Sequence, residues 1–188
     1  MRFLKRFPNL LAALLLLAPL SALAATGGIY ADFSTTSLSS SGSPRFNGGT
    51  LGGYAEWNLK GSFDSLNIGL DARFSIEHAN QSSISLGYDT YVIGPVVSLK
   101  THITPLRPYV EVLFGGAQAS GYYSAGFQGY VPGQNDFSSR NYGLQSYIGG
   151  VDIKMLPHLA WRALELNYGK FNGVSSTTIS TGLVMRLP

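Results

Sequence analysis

LNIGLDARFSIE, residues 66–77, alternates without a break: Leu66, Ile68, Leu70, Ala72, Phe74 and Ile76 are apolar, whereas Asn67, Gly69, Asp71, Arg73, Ser75 and Glu77 are polar or glycine. A strand sends successive side chains to opposite faces, so the stretch predicts one apolar face and one face carrying two acids and an arginine. A soluble sheet reads this way with its polar face in water. A membrane barrel inverts the arrangement, apolar face to lipid and charged face to the lumen, over the roughly 9–11 residues a tilted strand needs to cross. The rest of the chain decides between them.

The chain opens with Arg2, Lys5 and Arg6, runs through the apolar stretch Leu10 to Leu17, and reaches Ala22-Leu23-Ala24. A basic start, a short apolar core and an A-x-A site describe a secretory signal peptide, here residues 1–24. The apolar core is too short for a spanning anchor, which needs roughly 20 residues. This leader holds three of the thirteen basic residues and none of the ten acidic ones, so ten of each remain in residues 25–188. That balance removes the argument for nucleic acid or other anionic partners. With no cysteine, the chain has neither a disulfide framework nor a thiolate nucleophile. Residues 25–188 suffice for one domain, and the absence of any long apolar run after the leader excludes a helical membrane protein.

The same alternation recurs along the chain and predicts eight strands, over Gly27–Thr36, Gly48–Leu59, Leu66–Glu77, Leu86–Leu99, Pro108–Ala117, Asn141–Lys154, Trp161–Lys170 and Thr177–Leu187. Between them, SLSSSGSPRF (37–46), HANQSSIS (78–85), the strand-poor segment Gln118 to Arg140 and FNGVSS (171–176) read as loops at one end. Lys60–Ser65, Lys100–Arg107 and Met155–Ala160 read as turns at the other. Pro95 removes a ladder donor inside the fourth strand and predicts a bulge or a local break in pairing. An outer-membrane barrel alternates short periplasmic turns with longer outer loops, and here the difference is clear only for the fifth connection. The longest segment, Gln118 to Arg140, offers Tyr122, Tyr123, Phe127, Tyr130 and Phe137 as a loop binding surface.

Followed strand by strand, the inward face collects Asp32, Glu56, Asp71, Arg73, Glu77, Glu111, Asp152, Lys154, Glu165 and Arg186. Eight strands enclose a lumen just wide enough for side chains to fill, so these groups are expected to pair into a polar plug. An ion path or acid–base catalysis is the functional alternative. Outward Phe33, Trp57, Phe74, Tyr91, Tyr147 and Tyr168 suit the membrane interfaces. Trp161, by parity, is expected to point inward or to sit in the turn.

Catalytic patterns are sparse. His78, His102 and His158 fall in predicted loops or turns, without a serine, cysteine or carboxylate spaced for a triad or a metal site. No cofactor motif is present. The pairs Gly27-Gly28, Gly48-Gly49, Gly115-Gly116 and Gly149-Gly150 precede no helix, so strand kinks and close packing explain them better than phosphate binding.

The segment Ser180-Thr181-Gly182-Leu183-Val184-Met185-Arg186-Leu187 resembles the C-terminal insertion signal of bacterial outer-membrane barrels, with Leu187 and then Pro188 where that family usually ends on an aromatic residue. Arg107-Pro108-Tyr109-Val110 running to Gly115-Gly116-Ala117, Gly149-Gly150-Val151-Asp152 and Pro157-His158-Leu159-Ala160-Trp161-Arg162-Ala163 are similar to the small porin-like outer-membrane barrel family. The resemblance implies an all-β, eight-stranded antiparallel up-and-down transmembrane β-barrel with periplasmic termini, handled by the barrel-assembly machinery and in contact with outer-membrane lipid and lipopolysaccharide. It implies no catalytic motif. Three alternatives stand beside the non-enzymatic reading: a lipid A-modifying enzyme starting from His78 with Ser82 and Ser83, a narrow porin, and a soluble lipocalin-like barrel.

Overall fold

The computed structural model describes residues 26–39, 43–59, 65–81, 84–101, 105–123, 137–171 and 173–187. They form eight strands: β1 Thr26–Leu38, β2 Phe46–Asn58, β3 Leu66–Gln81, β4 Ile84–Leu99, β5 Leu106–Tyr123, β6 Phe137–Leu156, β7 Leu159–Phe171 and β8 Val174–Leu187. Each pairs antiparallel with its neighbours in sequence, and β1 pairs with β8 from Gly27↔Leu187 to Leu38↔Ser176, which closes the sheet. Closure leaves no unpaired strand edge. The β2–β3, β4–β5 and β6–β7 connections and the ends of β1 and β8 lie at one end of the barrel, called here the turn end; the other is the loop end.

The faces follow the alternation. On β3, Asp71 and Glu77 are 0% and 2% exposed, whereas Ile68 and Ile76 are both 40% exposed. On β1 the outward Phe33 reaches 61% beside the buried Asp32 and Ser34. An apolar exterior around a charged interior inverts a soluble barrel and matches a barrel embedded in lipid. Among the outward aromatics, Phe74 faces Tyr91 across β3 and β4, and Tyr147 faces Tyr168 across β6 and β7. Trp57 and Trp161 lie nearer the turn end, beside the ends of β2 and β7.

Several expected connections are strand instead. HANQSSIS shrinks to residues 82–83 and FNGVSS to 172–173, because β3, β4, β7 and β8 continue through the polar residues. The strand-poor segment narrows to 124–136, since β5 and β6 run for 18 and 20 residues against 13 for β1. The fifth connection therefore remains the one that stands out as long. Beyond the lipid belt a strand needs no apolar contrast, only hydrogen-bond partners, and the neighbouring strand supplies these. Pro95 does interrupt pairing: β4 and β5 pair up to Ile93↔Phe114 and resume at Val96↔Glu111 in unchanged register.

β7 departs from strict alternation. Val151 pairs with Leu164 but Asp152 pairs with Arg162, leaving one extra residue in β7, and the β7–β8 register shifts over the same residues. This bulge corrects the expectation for Trp161, which lies on the outer surface, 44% exposed, while Arg162 turns inward to 1%. Thr181 holds the distortion from outside. Its hydroxyl donates to the Arg162 carbonyl at 2.8 Å and accepts the Trp161 indole N–H at 3.0 Å, which satisfies a carbonyl near the interrupted pairing.

Inward tyrosines are seated on glycines of the next strand. Tyr30 faces Gly52, and Tyr109 faces Gly150, as direct cross-strand pairs. A methyl group at Gly150 would lie 2.4 Å from the Tyr109 ring, whereas one at Gly149 would meet nothing within 4 Å. Gly150→Ala is therefore expected to cost about 1–3 kcal/mol, the usual penalty for overpacking, and Gly149→Ala close to nothing. Urea titration of both variants in vesicles checks this; equal effects would show that the ring does not cover Gly150.

Candidate functional site

The lumen is filled in layers. In its middle, three arginines that project inward from β3, β5 and β7 bind six carboxylates. Arg73 bridges Asp71 at 3.1 Å, Glu165 at 2.8 Å and Glu111. Arg162 bridges Asp32 at 2.9 Å, Asp152 at 3.2 Å and Glu165 at 3.2 Å. Arg107 bridges Asp152 at 2.9 Å and Glu56. Shared carboxylates make this one connected network: Glu165 joins Arg73 to Arg162, and Asp152 joins Arg162 to Arg107.

Tyrosines complete the shell. Tyr30 donates to Asp71 at 2.8 Å and Tyr109 to Glu165 at 2.7 Å, and Ser180 of β8 donates to Glu165 at 3.0 Å. The Arg162 guanidinium lies 3.9 Å from the Tyr30 ring centre and 4.9 Å from that of Tyr109, while Arg107 lies 4.7 Å from that of Tyr54. Stacking of this kind favours a guanidinium over an ammonium at these positions. Buried charges persist only when paired and hydrogen-bonded, and the network meets that condition for all three arginines.

Of the ten inward charges expected from sequence, Asp32, Glu56, Asp71, Arg73, Glu111, Asp152 and Glu165 enter the network. Glu77 faces the lumen outside it, accepting from Ser34 at 2.6 Å. Lys154 and Arg186 keep the inward phase but lie at the turn end, on the wall of an open vestibule. Two network arginines escaped the sequence reading. Arg107 falls in the stretch that reads as a turn, between Pro105 and Pro108, and Arg162 is not among the residues assigned to the inward face. The signal for Arg162 was there: strict alternation put an arginine in the membrane and a tryptophan in the lumen, and one extra residue cures both.

Toward the loop end the lumen turns apolar. Phe46, Ala79, Tyr88, Leu144 and Phe171 are buried together, with Leu38, Leu86, Tyr142 and Val174 against them. Tyr88 lies 5.8 Å from both Phe46 and Phe171, centre to centre, a spacing typical of aromatic pairs. Between this cluster and the ionic layer lies a cavity of about 20 Å³ lined by hydroxyl residues such as Thr50, Ser75 and Ser146 with Glu77, enough room for one water.

Phe127 and Tyr130 lie outside the described residues, and so do the side chains of Tyr122, Tyr123 and Phe137, whose backbones extend β5 and β6. His78 is exposed on β3 rather than in a loop, where it pairs with Asn47 and Gly87 across the ladder. Ser82 and Ser83, its expected partners, lie outside the described residues, as does His102. Among the described residues no group of three or more His, Cys, Asp or Glu is placed to hold a metal ion.

No protein-family model matches the chain, and no curated protein matches it either. Solved structures do. The chain is similar to Ail, the attachment invasion locus protein of Yersinia pestis, at 16% identity and a TM-score of 0.59 over 87% of this chain and 99% of that one. It is similar to Neisserial surface protein A at 18% identity and a TM-score of 0.59, over 85% and 96%. The N-terminal β-barrel domain of Pseudomonas aeruginosa OprF matches at 9% identity and a TM-score of 0.51, over 85% and 97%. These are likenesses of fold: the chain has the architecture of small eight-stranded outer-membrane barrels. Ail has also been solved with the heparin analogue sucrose octasulfate.

Proposed function

We propose that the protein is exported, loses residues 1–24, and lies in the outer membrane as a non-enzymatic barrel with a plugged lumen, serving the envelope and binding through its loop end. The observation that carries this reading is the connected network of Arg73, Arg107 and Arg162 with their six carboxylates across the lumen. An ion crossing there would have to break several buried ion pairs at once, each costly to leave half-made. The aromatic cluster at the loop end adds a second seal.

A rigid, closed barrel acts through what it displays. The β5–β6 hairpin is the longest, and the segment it carries includes Phe127 and Tyr130; with Tyr122, Tyr123 and Phe137 it forms the binding surface we assign to an extracellular ligand or lipopolysaccharide. Outer-membrane lipid contacts the apolar exterior, and the barrel-assembly machinery inserts the chain through β8. Against the lipid A-modifying alternative, His78 makes no hydrogen bond to a serine or carboxylate among the described residues.

The test is a planar bilayer recording of the protein extracted from membranes, with its heat-dependent gel shift confirming the folded barrel. No unitary conductance is expected. Reproducible conductance steps from the shifted, folded species would overturn the plugged reading in favour of a narrow porin.

A further inference from the structure

The turn end of the lumen opens into a vestibule of about 370 Å³, within the range of small-ligand sites. Its floor is the Arg107–Glu56 pair over Tyr54, and its wall carries Lys100, Lys154 and Arg186. These three cations come from the β4–β5 connection, β6 and β8, and among the described residues none of their side chains has an ion pair or hydrogen bond. The acid on the floor is already taken, because Glu56 is bound by Arg107. Three positive charges therefore line one open space, and among the described residues none of them is paired with an acid.

The net charge alone has a simpler account. The ionic layer above holds six carboxylates against three arginines, and its field draws cations toward it. That account leaves Arg186 unexplained. Its Nε and one Nη are buried and unpartnered, a cost a merely field-compensating lysine or arginine avoids by turning its head to water. A guanidinium and two ammonium groups lining one open space are an arrangement that draws in an oxyanion and can hold it by charge-assisted hydrogen bonds.

We infer that the vestibule is a binding site for a small oxyanion with two or more negative charges, phosphate or carboxylate in kind, that enters from the turn end and is gripped by Arg186, Lys154 and Lys100. This does not rest on the loop-end role, and it holds whether or not the lumen conducts. Its failure is thus separate from a failure of the plugged-barrel reading.

The experiment is calorimetric titration of the membrane-extracted protein in zwitterionic detergent with inorganic pyrophosphate and, separately, with citrate. One-to-one saturation by at least one of them is expected, weakened by added salt; pyrophosphate alone would identify phosphate as the natural group, and citrate alone carboxylate. The double variant Lys154→Ala, Arg186→Gln should weaken binding by about tenfold or more, the size of one charge-assisted hydrogen bond. Arg45→Gln with Lys170→Gln removes two positive charges outside the vestibule and should leave affinity unchanged, which separates a site from a general field. The inference is overturned if neither anion saturates, if both charge-removing pairs weaken binding equally, or if the vestibule variant lowers the unfolding temperature without altering binding.

Discussion

Arg162→Met is expected to destabilise the barrel by about 3–5 kcal/mol, the cost of stripping one partner from a buried ion cluster. Methionine nearly matches the volume, so the loss is electrostatic. The three acids that Arg162 holds are unequally affected. Glu165 keeps Arg73, Tyr109 and Ser180, and Asp152 keeps Arg107. Asp32 keeps no hydrogen-bond partner among the described residues: one of its oxygens is already unpartnered, and Arg162 supplies the other's contact at 2.9 Å. Asp32→Leu in the Arg162→Met background should therefore restore a large part of the loss, since a buried pair replaced whole by apolar groups is often tolerated. Urea midpoints of the single and double variants in lipid vesicles measure both effects. A single variant within about 1 kcal/mol of the parent would mean that Arg162 faces outward and that the β7 bulge is absent.

That bulge marks the boundary of what alternation alone could deliver. Period two located all eight strands and put seven carboxylates and Arg73 on the correct face, because a residue inside a lipid belt has only two choices and the wrong one is expensive. The pattern is blind to an inserted residue, since one extra position flips every assignment on one side of it. Arg162 and Trp161 were lost that way. Strand ends failed for a different reason. Past the belt the outer face is wet, so HANQSSIS on β3 and β4 carries little apolar contrast although residues 78–81 pair with residues 84–87. Arg107 was hidden between Pro105 and Pro108, which read as a turn. The inward cluster of Phe46, Tyr88 and Phe171 is hidden because Phe46 and Phe171 lie at the ends of polar stretches that read as loops, and Tyr88 alone on its strand does not announce an apolar lumen.

The exterior is tested by depth. Leu70 projects outward from β3 between Ala55 and Pro95, turnward of the Phe74–Tyr91 aromatic pair and beyond the level of Trp57, so it occupies the middle of the apolar belt. Arginine there would bring its charge into hydrocarbon, and Leu70→Arg is expected to cost about 2–4 kcal/mol. Met155 also faces outward but sits at the turn-end rim, 58% exposed, next to the Pro157–His158 turn. Met155→Arg should cost about 0–1 kcal/mol, because a rim arginine reaches headgroups and water. The difference between the two, rather than either value, identifies the solvent: lipid grades the penalty with depth, whereas a soluble barrel with its outer face in water would accept both arginines. Equal, small costs in detergent-free buffer, with the chain recovered from the soluble fraction, would make the protein a lipocalin-like barrel and leave its ionic core as an ordinary buried network. A graded cost places the same network inside a membrane, where Asp71 and Arg73, two residues apart on the strand that first revealed the pattern, form one stave of the plug.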